Sequence, residues 1–526
     1  RARRKWTATL FAIGVCLGGL ASAGERAPDY DAALEQLDEL GFPPEHYQLL
    51  FAWNETARNT SAVVTGYRLR DAAGGPPFDV YRLDGERVPN AELDALGIPT
   101  KSWDIGAVEQ AAIFGKPTRK SVAPSPSPKS LTHALAPSAS IVLPPLDIEK
   151  VQREDAQRDA NGSLRIGVFR PLPAAVELRG DAASHGAWTH LPEGGRLWAV
   201  EIVSTEAVGQ RLQIETLALP EGGEVLVYDR DRPSEAIGPL DDGPVWTPTC
   251  FGETVVIECY VPGSTRAHDL ALRLPRTAHL YRSAFAAAVE KLAGECNLDV
   301  TCSPSWADTA TAVGGLGVIG RDGVLFCSCS LIAATSPCAQ APLVLTANHC
   351  VSDGEEADTL EFYWRYDTAT CDGAAPDPED VPRTTGGAEY LAGASGTGYQ
   401  GGGNDFTLLR MRNAPPPGLT RPGWSTVVPP IGTEVTCVHH PRGDHKRISF
   451  GTITEDEKPH GPLYHEVVWD EGTTEPGSSG APLLLTATQQ IIGQLWGGTA
   501  SCALPHEPDY YGRFDQSYPM AEAWLG

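Results

Sequence analysis

TEPGSSGAPLLL, residues 474–485, sets two serines between glycines on a turn that runs straight into an apolar strand-like segment. Gly477 has no Cβ, so the backbone can bend sharply there, and its N–H and that of Ser479 can converge on one point. Two other segments complement this turn. LVLTANHC, residues 343–350, is an apolar run that delivers His349 directly before a cysteine able to staple the turn. GNDFTLLRM, residues 403–411, opens an alternating apolar strand with one acid, Asp405, which that strand would bury. Singly, each has a bland explanation: a flexible loop, a histidine packed beside a disulfide, an acid capping a strand. Jointly they supply what a serine needs to attack a carbonyl. Its hydroxyl is a weak nucleophile near neutral pH, so a histidine must take the proton while a buried acid holds the imidazole in the right tautomer. Ser479 is then the nucleophile, His349 the base and Asp405 the orienting acid. The N–H groups of Gly477 and Ser479 form an oxyanion hole, each donor contributing about 3 kcal/mol to the transition state.

The order His349, Asp405, Ser479 along the chain is that of the chymotrypsin arrangement and differs from the subtilisin and α/β-hydrolase orders. Residues 292–526 have little helical periodicity and many Gly and Pro turns, which predicts an all-β, chymotrypsin-like double barrel. Upstream, RLWAVEIVS, RLQIETLAL, GEVLVYD and TVVIECYVP alternate between short turns, so residues 150–291 read as a β-sandwich. Trp188 and Trp198 could serve a carbohydrate-binding module, but aromatics in a sandwich more often belong to the core. Residues 117–149, rich in Pro, Ser and Ala, read as a linker. Residues 24–116 combine a helical pattern at Tyr30–Leu40 with strand-like pieces, a small α/β unit.

Composition sets the compartment. A net charge of −26 over 526 residues argues against nucleic acid as a partner. Residues 1–23 carry a basic start, an apolar stretch too short to span a bilayer comfortably and the small-residue site Ala21-Ser22-Ala23, which predicts a signal peptide and an exported, extracellular enzyme with no membrane attachment after its removal. Val15 is too large to make Cys16 a lipid-attachment site. Eleven further cysteines, nine of them beyond position 290, suit an oxidising compartment. Cys327 and Cys329 lack zinc-site spacing, so neither a metal nor another cofactor is expected.

ECNLDVTC (295–302), LTANHC (345–350), DFTLL (405–409), HHPRGDHKRIS (439–449), TEPGSSGAP (474–482), GQLWGG (493–498) and DYYGR (509–513) together resemble the bacterial lysyl endopeptidase family of trypsin-like serine peptidases. The resemblance implies a pre-pro-enzyme that cleaves polypeptides on the carboxyl side of lysine. The position six residues before the nucleophile, acidic in trypsin-like enzymes that bind a basic P1 side chain, is Thr473 here. In the family pattern the acid comes from ahead of the YGR segment, which is Asp509; Glu475 is a second candidate. Trp496, with Gly497, supplies the wall and strand against which substrate lies, although the family often has a histidine at position 496. Ser478 stands where trypsin relatives place the aspartate that receives a new N-terminal ammonium, so that route of activation is unavailable. The upstream region is expected to act as an intramolecular chaperone and inhibitor that is cleaved away. Lysines are absent from 151 to 290, which singles out Lys291 as a self-processing site.

The resemblance further implies disulfides Cys296–Cys502, Cys302–Cys371 and Cys327–Cys350. Proximity in sequence suggests Cys329–Cys338 and Cys250–Cys259 as well, leaving Cys437 free. Two alternatives stay open: the same fold with broader Arg/Lys or other P1 preference, and an inactive binding or adhesion protein, against which the intact triad argues.

Overall fold

The computed structural model describes residues 127–158, 163–263, 269–282, 293–334, 342–376, 380–396, 403–454 and 461–526, together with the backbone of three strands near the N-terminus. Those strands, β1 (Tyr47–Glu55), β2 (Ala62–Leu69) and β3 (Val80–Arg82), form an antiparallel sheet in that order. The signal segment, the helix expected at Tyr30–Leu40 and Lys291 lie outside the described residues.

Residues 139–280 fold as a sandwich. One sheet orders β8 (Glu224–Asp229), β9 (Thr254–Val261), β6 (Arg196–Val203) and β4 (Ala139–Val142). The facing sheet orders β7 (Gly209–Ile214), β10 (Ala271–Leu280) and β5 (Leu164–Arg179). Val200, Ile202, Val225 and Ile257 of the first sheet pack on Val176, Leu212, Leu272 and Leu274 of the second. Part of the segment expected to be linker is therefore structured. Ala139–Val142 pairs in parallel with β6 despite its proline-rich flanks, because Ile141 finds a place in the core. Trp198 is fully buried and donates its indole N–H to the His185 carbonyl at 2.8 Å, and Trp188 packs on the same core.

The C-terminal region is two barrels. In the first, β11 (Val313–Gly320) pairs with β12 (Gly323–Leu331) and β14 (Glu361–Tyr363), while β13 (Leu343–Ala347) joins β12 to β16 (Phe406–Met411) and β15 (Ala388–Ala394) lies outside β16. The second closes on itself: β18 (Arg447–Ile453), β17 (Glu434–His439), β20 (Pro482–Leu485), β21 (Ile491–Gly498), β22 (Asp509–Arg513) and β19 (Tyr464–Glu471), which returns to β18. A helix, Phe514–Leu525, ends the chain.

The sandwich and the first barrel share one sheet and one core. Strand β5 pairs antiparallel with β12, Val324 opposite Gly167 and Phe326 opposite Leu164. Leu164, Ile166, Ala278 and Leu280 from the sandwich cluster with Ile319, Val324, Phe326 and Tyr363 from the barrel. A polar knot lies at the same boundary. Glu361, 2 % exposed, accepts from the Thr249 N–H at 2.5 Å, the Thr249 hydroxyl at 2.7 Å and the Tyr363 hydroxyl at 2.8 Å. Burial alone would raise its pKa, but the charges of Arg211 and Arg383 and the Thr249 hydrogen bonds outweigh it, and the group is held below the usual carboxylate range.

The cysteine pairing matches the resemblance at Cys296–Cys502, Cys302–Cys371 and Cys327–Cys350. The two pairs suggested by proximity are corrected. Cys250 and Cys259 are free buried thiols on opposite sheets, Cys250 opposite Gln210 and Cys259 between Trp198 and Val225, so closeness in sequence does not bring them together. Cys329 is also a free buried thiol, and Cys338 lies outside the described residues. Cys437 is free and buried.

Candidate active site

His349 and Asp405 meet because of strand register. Ala347, the last residue of β13, pairs with Phe406, the first of β16, so the residues just beyond each end become neighbours. All five residues of β13 are buried, and the Cys327–Cys350 bond ties the following turn to β12. Asp405, 1 % exposed, grips the histidine twice: its Oδ1 accepts the His349 backbone N–H at 2.9 Å, and its Oδ2 lies 2.7 Å from Nδ1. The clamp requires Nδ1 to carry the proton. Asp405 adopts a left-handed backbone (φ 57°), a conformation that aspartate tolerates better than most residues. Its neighbour Asn404 donates to the Arg513 carbonyl at 2.7 Å and to Ser517 Oγ at 2.6 Å, so the C-terminal helix braces the acid's turn.

Ser479 belongs to the second barrel but is held by the first. Ser328, on β12, donates its N–H to the Ser479 carbonyl at 2.8 Å and its hydroxyl to the Gly477 carbonyl at 2.9 Å, and accepts the His440 N–H at 3.0 Å. A side chain at 480 would strike Thr346 and Ala347, just ahead of the histidine, which shows how closely the Ser479 turn abuts β13. Gly477 has φ 100°, and a Cβ there would lie 3.0 Å from the His440 carbonyl. The N–H groups of Ser478 and Gly480 are spent on Glu475 and Leu495, whereas those of Gly477 and Ser479 have no acceptor among the described residues.

Thr474, Glu475, Ser479, Leu495, Gly497 and Gly498 line a small pocket. Asp509 sits behind it, opposite Gly498 in the β21–β22 ladder, and is 1 % exposed. Its Oδ2 accepts from Thr474 Oγ1 and Trp469 Nε1, both at 2.7 Å. Its Oδ1 is buried without a hydrogen-bond partner among the described residues. Burial raises the pKa to about 6, against the lowering pull of Thr474, Trp469 and the Ala500 amide, the last acting without reaching hydrogen-bonding geometry.

Glu475 is placed differently. Its carboxylate is fully used inside the protein, accepting from Arg442 Nε, the Gly294 N–H and Asn297 Nδ2, each at 2.8 Å. Trp496 is the bulged residue where the β21–β22 register shifts between Leu495 and Gly497, and it contacts Tyr464 and Tyr510 edge-on at 6.0 and 6.4 Å. Burial, with the Asp405 charge adding to it, pushes the Tyr464 phenol above its ordinary value. Ser328, Thr474 and Trp469 were missed from the sequence. Nothing in their local pattern separates them from ordinary strand residues, because each acts through a partner more than thirty residues away.

Residues 142–281 match the lysyl endopeptidase N-terminal domain, and residues 291–512 match the lysyl endopeptidase C-terminal domain. A lysyl endopeptidase of Pseudomonas aeruginosa is 29% identical over 308 residues, which span 54% of this chain and 63% of that protein. Among solved structures, a thermostable serine protease AL20 from an extremophilic microorganism is 18% identical, covering 41% of this chain and 99% of its own at a TM-score of 0.29. Human heparin binding protein is 18% identical, with 41% and 91% coverage and a TM-score of 0.32. With the sandwich and the peptidase region each matched over nearly their whole length, the chain belongs to the lysyl endopeptidase family.

Proposed function

We propose that the chain is a secreted serine endopeptidase, made as a precursor, that cleaves polypeptides after lysine. The observation that carries the chemistry is the doubly bonded His349–Asp405 pair beside the Ser479 turn. Ser479 Oγ attacks the scissile carbonyl as His349 takes its proton; the tetrahedral oxyanion is met by the Gly477 and Ser479 N–H groups; the imidazolium then returns the proton to the leaving amine. Water repeats the sequence to release the acyl group from Ser479.

Lysine preference is supported by Asp509. A buried ammonium without a partner costs several kcal/mol, and a carboxylate oxygen without one is the complement it needs. Glu475, its carboxylate engaged elsewhere, is assigned to supporting the pocket wall. A role for the sandwich in folding and inhibiting the peptidase is supported by the shared sheet and by the 3.3 Å contact from Ser163 Oγ to the His349 carbonyl.

Incubation of the purified protein with a mixed peptide library, read by mass spectrometry, should give products ending in lysine. Cleavage indifferent to the P1 residue would remove the specificity assignment and leave the triad standing. N-terminal sequencing of the secreted form should begin at Leu292, following cleavage after Lys291.

A further inference from the structure

The nucleophile turn contains a feature that the proposed chemistry does not use. Ser478, fully buried, points away from the substrate side, and its Oγ lies 2.7 Å from Nδ1 of His439. The other ring nitrogen of His439, Nε2, lies 3.2 Å from Ser449 Oγ. Ser449 donates its hydroxyl to the Thr473 carbonyl at 2.8 Å, and Ser478 Oγ receives the Glu475 N–H at 3.2 Å. These contacts leave one consistent direction. With its proton committed to Thr473, Ser449 must accept from Nε2–H; Nδ1 then has no proton and must accept from Ser478, whose oxygen is free to accept from Glu475. The chain of bonds starts and ends on the same turn, at atoms of residues 475 and 473. Between them, Thr474 carries the hydroxyl that holds Asp509.

We propose that Ser478, His439 and Ser449 are positioning residues: a closed, uncharged loop of hydrogen bonds that shapes residues 473–479, and with them both the oxyanion donors and the Thr474–Asp509 contact. This rests on the serine peptidase assignment above. The loop stands where trypsin relatives use an aspartate paired with a newly freed terminus, and it does the same work without a charge or a chain cut. Burial, with the Arg447 charge adding to it, pushes the His439 imidazole down to about 3, so the neutral ring that the loop needs is the one present at working pH. The turn is also stapled from outside by the Arg442 N–H, 2.6 Å from the Pro476 carbonyl, and by Glu475 to Gly294 and Asn297. The turn is thereby formed in the uncleaved chain.

The test is a set of variants in the mature enzyme, Ser478→Ala, Ser449→Ala and the double variant, assayed on a lysyl peptide amide. Each single change should lower kcat by about 10- to 100-fold, the range of one oxyanion donor imperfectly placed, with KM within about threefold. The double variant should fall no further than the worse single, because both cut the same loop. Wild-type kcat in both singles, or losses that multiply, overturns the proposal. A nitrogen-15 spectrum of histidine-labelled Ser479→Ala protein gives a readout independent of activity and of whether a variant folds: His439 should show a protonated Nε2 and an unprotonated Nδ1, and the opposite tautomer overturns the loop. Full activity in Ser479→Ala would instead sink the peptidase assignment itself, so the two failures are distinguishable.

Discussion

The two barrels of the peptidase region complete themselves differently. The second closes through its own hydrogen bonds, β18 to β19, and carries the proposed nucleophile turn and oxyanion donors together with Asp509. The first carries His349 and Asp405, and its strand β12 is paired to the sandwich strand β5. An exposed strand edge is a liability for any sheet, and here the sandwich covers it while sharing a core with the barrel. The difference teaches that the proposed oxyanion donors and P1 acid sit in a barrel whose sheet closes on itself, with Ser328 of the first barrel holding their turn, whereas the proposed base and its acid sit in a barrel whose sheet continues into the upstream domain.

The largest effect expected tests the closed barrel. Ser479→Ala should lower kcat by about 10^6-fold, as loss of a triad nucleophile does, with an unchanged circular dichroism spectrum; normal turnover would mean that the chemistry lies elsewhere. Asp509→Asn should reduce kcat/KM for lysyl substrates by about 1,000-fold, the equivalent of roughly 4 kcal/mol for a buried charge left without its partner. Substrates with a neutral P1 residue should change far less, and an equal loss on both would place the effect in folding.

Glu361→Gln breaks the boundary between sandwich and first barrel. It leaves Arg211 and Arg383 without their counter-charge in a buried site, at a cost of about 3–5 kcal/mol. Denaturant unfolding of the full chain should show the sandwich separating earlier, and an unchanged midpoint would show that the two regions are energetically independent.

The pocket acid has a pH signature of similar or smaller size. Its folded pKa is about 6 against an ordinary 3.8, so the unfolded chain gives up the proton first. Stability should therefore fall as pH rises from about 4 through 6, by about 3 kcal/mol at 1.4 kcal/mol per pH unit. Thermal unfolding of Asp509→Asn across that window should lack this slope. Arg442→Ala removes an ion pair whose arginine is 55% exposed, so a change below about 1 kcal/mol is expected; a larger one would mean that the outer staple of the nucleophile turn carries more than the inner loop.

How much of this was legible varies from residue to residue. His349, Asp405 and Ser479 stood out because each lies within three residues of a strand end, and strand ends are visible as breaks in apolar runs. The cysteine spacing misled at Cys250 and Cys259, since neighbouring positions in sequence went to opposite sheets. Residues 117–149 looked like linker because proline hid a four-residue strand, Ala139–Val142, whose parallel partner lies some sixty residues away. Glu475 looked like a specificity acid by its distance from Ser479, but its fate was set by Gly294, Asn297 and Arg442.

The sequence by itself determined the strand class and pointed to the three residues proposed as a triad and to their order, because these rest on local patterning and on residue types that chemistry cannot replace. Tertiary structure alone decided that the sandwich continues into the first barrel, that Asp509 keeps one oxygen unsatisfied, and that Ser478 closes a loop through His439. Each of these depends on which distant strands pair and on what burial does to a polar group, and neither quantity is written in the spacing of residues along a chain.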